Sequence, residues 1–279
     1  MKSANIQRKT HMRKAAAAVQ YIFLSVAAIL SIFPFAWMII GTTNASKDIT
    51  MGKLTFGSQL VTNFNNLIQK GDVLLCLKNS AILALLITTM SMLVCSLAGY
   101  GFVVFRSKLK DRFFALILLS MMIPTSSLVV PLFKMFNRMG LLNTRLGVAL
   151  PALSTAFLIF FFRQNTKSFP YETIQAARID GLSELGIFFR IYMPMMKSTY
   201  AAAAIITFMS SWNNYMWPLI SLQTKDQRTL PLLISSLGSA YTPDYGIIMV
   251  GIIITTIPSA LVFFLMQKSF VEGMMGSVK

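Results

Sequence analysis

Four neutral polar residues in the last third of the chain have the spacing of a single helix face. Thr207, Ser210, Ser211 and Asn214 lie at i, i+3, i+4 and i+7, so a helix aligns their hydroxyl and amide groups in one stripe. Such groups hydrogen-bond either an uncharged hydroxylated solute or a neighbouring membrane helix. The sequence leaves both interpretations open, and Asn213 beside the stripe is a weaker candidate for the same role.

Residues for covalent, acid–base or metal chemistry are not arranged as a site. The one histidine, His11, lies in a basic N-terminal segment. Cys76 and Cys95 would be roughly 28 Å apart on a continuous helix, far beyond disulfide reach. No segment matches a phosphate-binding P-loop. We therefore expect no catalytic residue, no metal and no cofactor, and the protein is not predicted to be an enzyme.

A second segment with distinctive spacing runs from Pro170 to Pro194. Pro170 suits the first turn of a helix, and Glu172 suits the positive end of its dipole. Gly181 permits a sharp turn, after which a second amphipathic helix stops near Pro194. The first helix carries a small face of Gln175, Ala176 and Ala177, and the second carries Leu182, Leu185, Phe188 and Phe189. The pattern predicts two short helices with a bend, either docked on a partner or lying on lipid headgroups.

The elements that position these residues are predicted to be membrane helices. The chain has 279 residues, 55% hydrophobic and 12% charged, against about 25% charged in a soluble domain. This excludes a secreted globule, a disordered chain and a disulfide scaffold. Six stretches approach or exceed the roughly 20 apolar residues that a span needs. They are Ala17–Ile40, Asn79–Phe105, Phe113–Leu132, Leu146–Phe162, Ser198–Leu222 and Gly246–Met266, and none contains a charged residue or histidine.

The charge pattern predicts the orientation of these spans. The net charge is +16. Sixteen of the 25 basic residues fall in residues 1–16, 106–112, 163–197 and the tail, and the other nine fall in the alternate connections. Because cytoplasmic loops are enriched in Lys and Arg, both termini are expected in the cytoplasm. The excess charge is thereby explained without a nucleic acid partner.

The Pro170–Pro194 segment resembles the coupling loop of ABC importer permeases. That family has Glu-Ala-Ala, then Gly four positions on, then Ile and Pro near the end of the loop. Here Gln175-Ala176-Ala177 precedes Gly181, and Ile191 and Pro194 follow at the family's spacing. Gln175 departs from the usual Glu, and so removes a carboxylate.

The resemblance extends over nearly the whole chain. Asn63 resembles a short family segment before the second span, and residues 211–219 resemble the Trp-Asn run of carbohydrate-importer permeases. Residues 267–279 resemble their C-terminal tail. The match is with the maltose-type second, shorter permease.

The resemblance implies an all-helical, six-span membrane protein with the type I ABC importer permease fold and cytoplasmic coupling helices. It implies a cytoplasmic segment 1–16, a permease domain 17–267 that includes the coupling loop 165–197, and a cytoplasmic tail 268–279. The partners implied are a second permease, two ATPase subunits, an extracellular solute-binding protein, a sugar and membrane lipid in the cell membrane of a bacterium or archaeon. The implied ATPase-coupling residues are Glu172, Gln175, Ala176, Ala177, Asp180, Gly181, Ile191 and Pro194. The passage for the sugar would be lined by Thr207, Ser210, Ser211, Asn213 and Asn214.

Three other functions remain as alternatives at this stage. A secondary carrier or channel is disfavoured because all nine acidic residues lie outside the six stretches. A permease for a polyamine or phosphate would favour charged residues along the passage. A membrane-bound enzyme lacks a catalytic constellation. Aromatic residues Tyr100, Trp212 and Trp217 are possible sugar-stacking groups or ordinary interfacial residues.

Overall fold

The computed structural model describes residues 2–274, with side chains for residues 17–268 and 270. All regular secondary structure in this range is helical, which confirms the predicted all-α class. The helices are α1 Lys2–Thr42, α2 Ser46–Thr50, α3 Leu60–Lys70, α4 Val73–Val104, α5 Lys108–Ser120, α6 Thr125–Arg138, α7 Arg145–Ala149, α8 Ala156–Thr166, α9 Tyr171–Ile179, α10 Glu184–Ile187, α11 Met193–Met195, α12 Lys197–Trp212, α13 Met216–Ser221, α14 Leu230–Gly238 and α15 Tyr245–Met274. Single 3₁₀ turns lie at Leu150–Ala152 and Lys225–Gln227, and a π-helical turn lies at Phe188–Tyr192.

Three of the predicted spans are continuous helices long and apolar enough to cross a membrane. They are Ala17–Thr42, Val73–Val104 and Tyr245–Lys268. Helix α1 begins at Lys2 and so continues through the predicted boundary at residue 16. The last part of the predicted tail, residues 275–279, lies outside the described residues.

Two other predicted spans are bent, and each of them contains a proline, Pro124 or Pro151, that interrupts the helical stretch. Between α5 and α6 the chain turns by 102°, so Phe113–Leu132 is not one helix. Pro124 explains the break, because proline lacks an N–H and disfavours helical geometry in the residue before it. The α7 segment through Ala152 meets α8 at 45°. Each bent pair is either a broken span or a re-entrant loop.

The predicted fifth span, Ser198–Leu222, is also divided. Helix α12 ends at Trp212 and the short α13 begins at Met216, with Asn213 at the C-cap of the first helix. By length and composition the described chain therefore has three continuous candidate spans, or five if each bent pair counts as one. The six-span count stays a prediction.

The described chain contains two compact units. One comprises residues up to Lys70 together with Leu237–Ile253, and the other comprises Gly71–Ser236 with the chain from Ile254 onwards.

In the second unit, α4 packs along both α8 and α12. Small buried residues on α4, including Ala84, Ser91 and Gly99, allow this close approach. At Gly99 a Cβ atom would lie 2.7 Å from the Cβ of Phe162 and 2.8 Å from the backbone nitrogen of Arg163. Only glycine fits at this α4–α8 crossing.

Within the second unit, segments that the charge pattern assigns to the same side contact one another. A guanidinium nitrogen of Arg163, in the last turn of α8, lies 2.9 Å from a carboxylate oxygen of Asp111 near the start of α5. Between two of the alternate connecting loops, the side-chain oxygen of Asn143 accepts a hydrogen bond from the Thr224 hydroxyl at 3.0 Å. This grouping agrees with the predicted alternation of loops, while the cytoplasmic assignment of either set stays a prediction.

Candidate functional site

The first half of the Pro170–Pro194 loop is a helix closed by a glycine turn. Helix α9 has Pro170 at its N-cap position and ends at Ile179. Gly181 has φ +80°, and the Leu182 N–H donates to the Ala177 carbonyl at 3.0 Å. The Gly181 N–H donates to the Arg178 carbonyl at 3.1 Å, which completes a Schellman C-cap. The sharp turn predicted at Gly181 is therefore present.

The second half of the loop contains a change of helical register. The Ser183 hydroxyl caps α10 by accepting a hydrogen bond from the Gly186 N–H at 3.2 Å. The π-helical turn follows, and α11 then ends at Met195, next to the stop expected near Pro194.

The predicted coupling residues divide between the surface and the interior. Those exposed in the structure are Glu172, Gln175, Ala176, Asp180, Gly181 and Pro194. Ala177 is buried and Ile191 is half-buried, and both belong to the core beneath the loop. The expected small face of three residues is therefore wrong for Ala177, which points inward because it lies near Ile174 on the buried side of α9.

Three apolar side chains stand out from this loop. Ile179 is 86% exposed, and Leu185 and Phe189 are also exposed. The sequence placed Leu185 and Phe189 on one face with Phe188, but Phe188 is buried. Ile179 was missed, although an isoleucine at the end of a short polar helix was a usable signal. We call Gln175, Ala176, Ile179, Leu185 and Phe189 the loop surface.

Below the loop surface, an aromatic cluster joins the loop to α4. The ring of Tyr100 lies 5.4 Å from the ring of Phe188 and 4.9 Å from that of Tyr192. The hydroxyls of Tyr192 and Thr166 are 2.6 Å apart. Burial raises the pKa of the Tyr192 phenol above its ordinary value, so this hydroxyl stays protonated.

A single carboxylate links both halves of the loop to α4. Glu184 accepts a hydrogen bond from Arg178 at 2.7 Å across the Gly181 turn, and its other oxygen lies 3.5 Å from the Tyr100 hydroxyl. The hydrogen bonds to Glu184 and to the Tyr171 hydroxyl raise the pKa of Arg178. Both members of the ion pair are partly exposed, so its stabilising contribution is at most about 1 kcal/mol. Its main effect is to fix the geometry of the bend.

The polar stripe on α12 lines a cavity. Thr207, Ser210 and Ser211 on α12, Asn214 beyond its end and Thr155 at the N-cap of α8 all border a space of about 210 Å³. The predicted single helix face is therefore wrong for Asn214, because α12 ends at Trp212, although Asn214 still reaches the same cavity. The rest of the lining is apolar and comprises Ile87, Ala152, Phe157, Leu158 and Ile206. The lining contains no charged side chain.

The predicted passage residues Ser211 and Asn213 differ in their hydrogen bonding. The Ser211 hydroxyl oxygen is buried without a hydrogen-bond partner among the described residues, so it has capacity for a ligand or water. The Asn213 amide donates to the Met209 carbonyl at 3.0 Å, and this residue is not part of the lining. The structure therefore brings together four of the five predicted passage residues and leaves Asn213 out.

The three aromatic residues considered for sugar stacking are not available for it. Tyr100, Trp212 and Trp217 are all buried. The Trp212 indole donates to the Thr255 carbonyl at 3.0 Å, and the Trp217 indole donates to the Gly147 carbonyl at 2.9 Å. These rings hold helices together.

One residue with a clear structural role was missed. Asn143 is the one non-glycine residue with positive φ in the described range, at 57°. Its side-chain oxygen accepts hydrogen bonds from the Gln223 and Thr224 N–H groups at 3.0 and 3.1 Å. An asparagine before a threonine helix cap was the available signal, since Asn tolerates the left-handed region.

Comparison with known proteins gives a consistent result. Residues 91–275 match the family model described as "Binding-protein-dependent transport system inner membrane component". The chain is 53% identical to the lactose transport system permease protein of Rhizobium radiobacter, over 97% of this chain and 99% of the relative. It is 35% identical to the arabinooligosaccharides transport system permease protein of Halalkalibacterium halodurans, over 90% and 92% of the two chains. It is 31% identical to the sn-glycerol-3-phosphate transport system permease protein of Pectobacterium atrosepticum, over 93% and 96%.

A solved structure has the same fold. A chain in the crystal structure of a bacterial ABC transporter involved in alginate import superposes with a TM-score of 0.82. The alignment covers 92% of this chain and 97% of that one, at 18% sequence identity. At this identity the likeness shows the fold alone, which is the predicted permease fold.

Proposed function

We propose a function from one premise: the chain belongs to the family of binding-protein-dependent transport system inner membrane components. It is thus a multi-pass membrane subunit of an ABC importer and not an enzyme, and it works with an ATPase and a solute-binding protein. We propose that its solute is an uncharged sugar or short oligosaccharide, and that it forms half of the passage for that solute.

The main support for an uncharged solute is the uncharged cavity beside α12. Its polar groups are three hydroxyls on α12, the Asn214 amide beyond the end of that helix and the Thr155 hydroxyl at the N-cap of α8. Hydroxyl and amide groups match the hydrogen bonds of a sugar, while a phosphate ester entering an apolar cavity needs a cation to offset its desolvation. The relative named for lactose transport has the higher identity, and the relative named for glycerol-3-phosphate transport has the lower one. Both observations favour a neutral solute.

The loop surface supports a coupling role. Its apolar members are exposed beside Gln175 and Ala176, which is the arrangement that a protein partner buries. Beneath it, Glu184 and the aromatic cluster connect the loop to α4, and α4 contributes Ile87 to the cavity. An ATPase that moves the loop surface would therefore move α4 and change the shape of the cavity. The neutral Gln175 offers the ATPase a hydrogen bond in place of a salt bridge.

We further propose the composition and orientation of the complex. Two ATPase subunits bind this chain and a second, related permease, with the binding protein on the extracytoplasmic side. Both termini and the loop surface face the cytoplasm, in agreement with the distribution of basic residues.

Uptake measurements in cells that differ only in this chain test the choice of solute. Radiolabelled lactose, an arabinooligosaccharide and sn-glycerol 3-phosphate are supplied separately. We expect uptake of a neutral sugar to require the chain, and uptake of the phosphate ester to be the same with and without it. Chain-dependent uptake of the phosphate ester with no sugar uptake would contradict the proposal.

A further inference from the structure

Helix α3 presents an apolar stripe that the described part of the chain leaves exposed. Leu60, Val61, Phe64 and Ile68 are between 45% and 69% exposed. They fall within an arc of about 100° when successive residues are placed 100° apart around the helix. The other apolar residue of α3, Leu67, is buried, and the opposite face carries Thr62, Asn65, Asn66 and Gln69.

Hydrogen bonds hold α3 at the end of the first span. The buried Asn63 amide donates to the carbonyls of Thr42 and Asn44 at 2.9 and 3.0 Å. Thr42 is the last residue of α1. The Gln59 N–H, just before α3, donates to the Thr43 carbonyl at 2.8 Å. Helix α3 therefore cannot lie far from the point where α1 leaves the membrane.

The start of the last span contacts the same residue. Gly246 is the second residue of the span Tyr245–Lys268. A Cβ atom at Gly246 would lie 2.7 Å from the side-chain nitrogen and oxygen of Asn63, so glycine is required there. Asn63 thus lies at the ends of two spans.

The length of the first span sets the depth of α3. Ala17–Thr42 has 26 residues, which is about 39 Å at 1.5 Å per residue. The hydrocarbon core is about 30 Å thick, and the bilayer with its headgroups is about 40–45 Å thick. The end of α1, and α3 with it, therefore lies at the level of the headgroups.

We propose that α3 is an interfacial membrane anchor whose exposed stripe inserts into the headgroup–acyl boundary. Its partner is membrane lipid, on the side that the charge pattern predicts to be extracytoplasmic. An amphipathic helix at this depth buries its apolar face in lipid and keeps its polar face in water. The anchor fixes the ends of α1 and α15 against sliding along the membrane normal.

Spin-label accessibility on the assembled transporter in proteoliposomes tests the anchor. Nitroxide is attached to the single-cysteine changes Val61→Cys, Phe64→Cys and Ile68→Cys on the stripe, with Thr62→Cys, Asn65→Cys and Gln69→Cys as matched controls. The two native cysteines are buried, and the parent protein serves as the labelling blank. We expect the stripe to collide more with oxygen than with a water-soluble nickel chelate, and the controls to show the reverse.

Three results would overturn the anchor. Equal nickel access on both faces would place α3 in water. A stripe closed to both reagents would mean that protein covers it. A stripe that loses nickel access only when the solute-binding protein is added would assign the surface to that partner.

A second measurement guards against poor labelling. Phe64→Trp is compared with Asn65→Trp in vesicles that contain brominated phosphatidylcholine. We expect strong quenching of the added fluorescence at residue 64 and weak quenching at residue 65, and equal quenching at both would also overturn the anchor.

Discussion

Gly181 gives the clearest test of the loop geometry, because its requirement is conformational and not steric. Its φ is +80°, and a Cβ atom there would meet nothing within 4 Å. Gly181→Ala therefore adds no clash and costs only the left-handed backbone conformation, about 1–2 kcal/mol. If the ATPase binds the loop with this turn intact, that cost weakens binding by at most roughly 5–30-fold.

Two further variants separate strain from charge. Asparagine tolerates the left-handed region, so Gly181→Asn should retain most of the affinity. Gly181→Asp is also tolerated by the backbone but adds a carboxylate beside Asp180, so any loss beyond that of Gly181→Asn reports charge on the loop surface. The assay is equilibrium binding of the ATPase to the purified permease complex, with complex yield measured in parallel.

The losses of ATPase binding in these variants are compared to test the prediction. Equal losses for Gly181→Ala and Gly181→Asn would refute the conformational argument. Normal ATPase binding and normal uptake in all three variants would refute the docking role of the loop.

Three other changes have defined outcomes. Gln175→Ala removes one neutral hydrogen bond worth about 0.5–1.5 kcal/mol, so uptake should fall no more than about tenfold, and complete loss with intact assembly would show a larger role. Asn214→Leu should lower sugar uptake without lowering complex yield or ATP hydrolysis, whereas the complex with Asn213→Leu, a change outside the cavity, should transport normally. A reduced yield of the Asn214→Leu complex with unchanged uptake per complex would mean that the stripe is a helix–helix contact. Asn143→Ala loses the side-chain acceptor and strains a residue at φ 57°, so it should lower the free energy of unfolding of the complex by about 2 kcal/mol in thermal unfolding. Asn143→Asp keeps an acceptor and should stay near wild type, and equal melting temperatures for the two variants would contradict the role of Asn143 in holding Gln223 and Thr224.

The sequence predicted features that depend on local spacing. Thr207, Ser210 and Ser211 were visible as a stripe because residues three and four apart share a helix face, and all three line one cavity. Asn214 lines the same cavity from beyond the end of α12. The turn at Gly181 was visible because a left-handed C-cap favours glycine. The uncharged stretches identified three continuous spans.

The sequence could not predict features that depend on neighbouring helices. Ala177 is small enough for either side of α9, and only the packing of the loop on α4 turns it inward. Phe188 is buried against Tyr100 of α4, while Leu185 and Phe189 stay exposed, and the sequence spacing does not show which of these faces meets α4. Pro124 indicated a break between α5 and α6, but the 102° angle is set by tertiary contacts.

The central claim is that this chain is the passage-forming subunit of an ATP-driven importer for a neutral sugar. The most direct measurement is uptake of radiolabelled lactose by proteoliposomes that contain the complete complex, with the solute-binding protein outside and ATP inside. The account predicts uptake that requires both the binding protein and ATP, and that falls in the Asn214→Leu complex while ATP hydrolysis continues. Uptake that persists without ATP and follows an imposed proton or sodium gradient would contradict it.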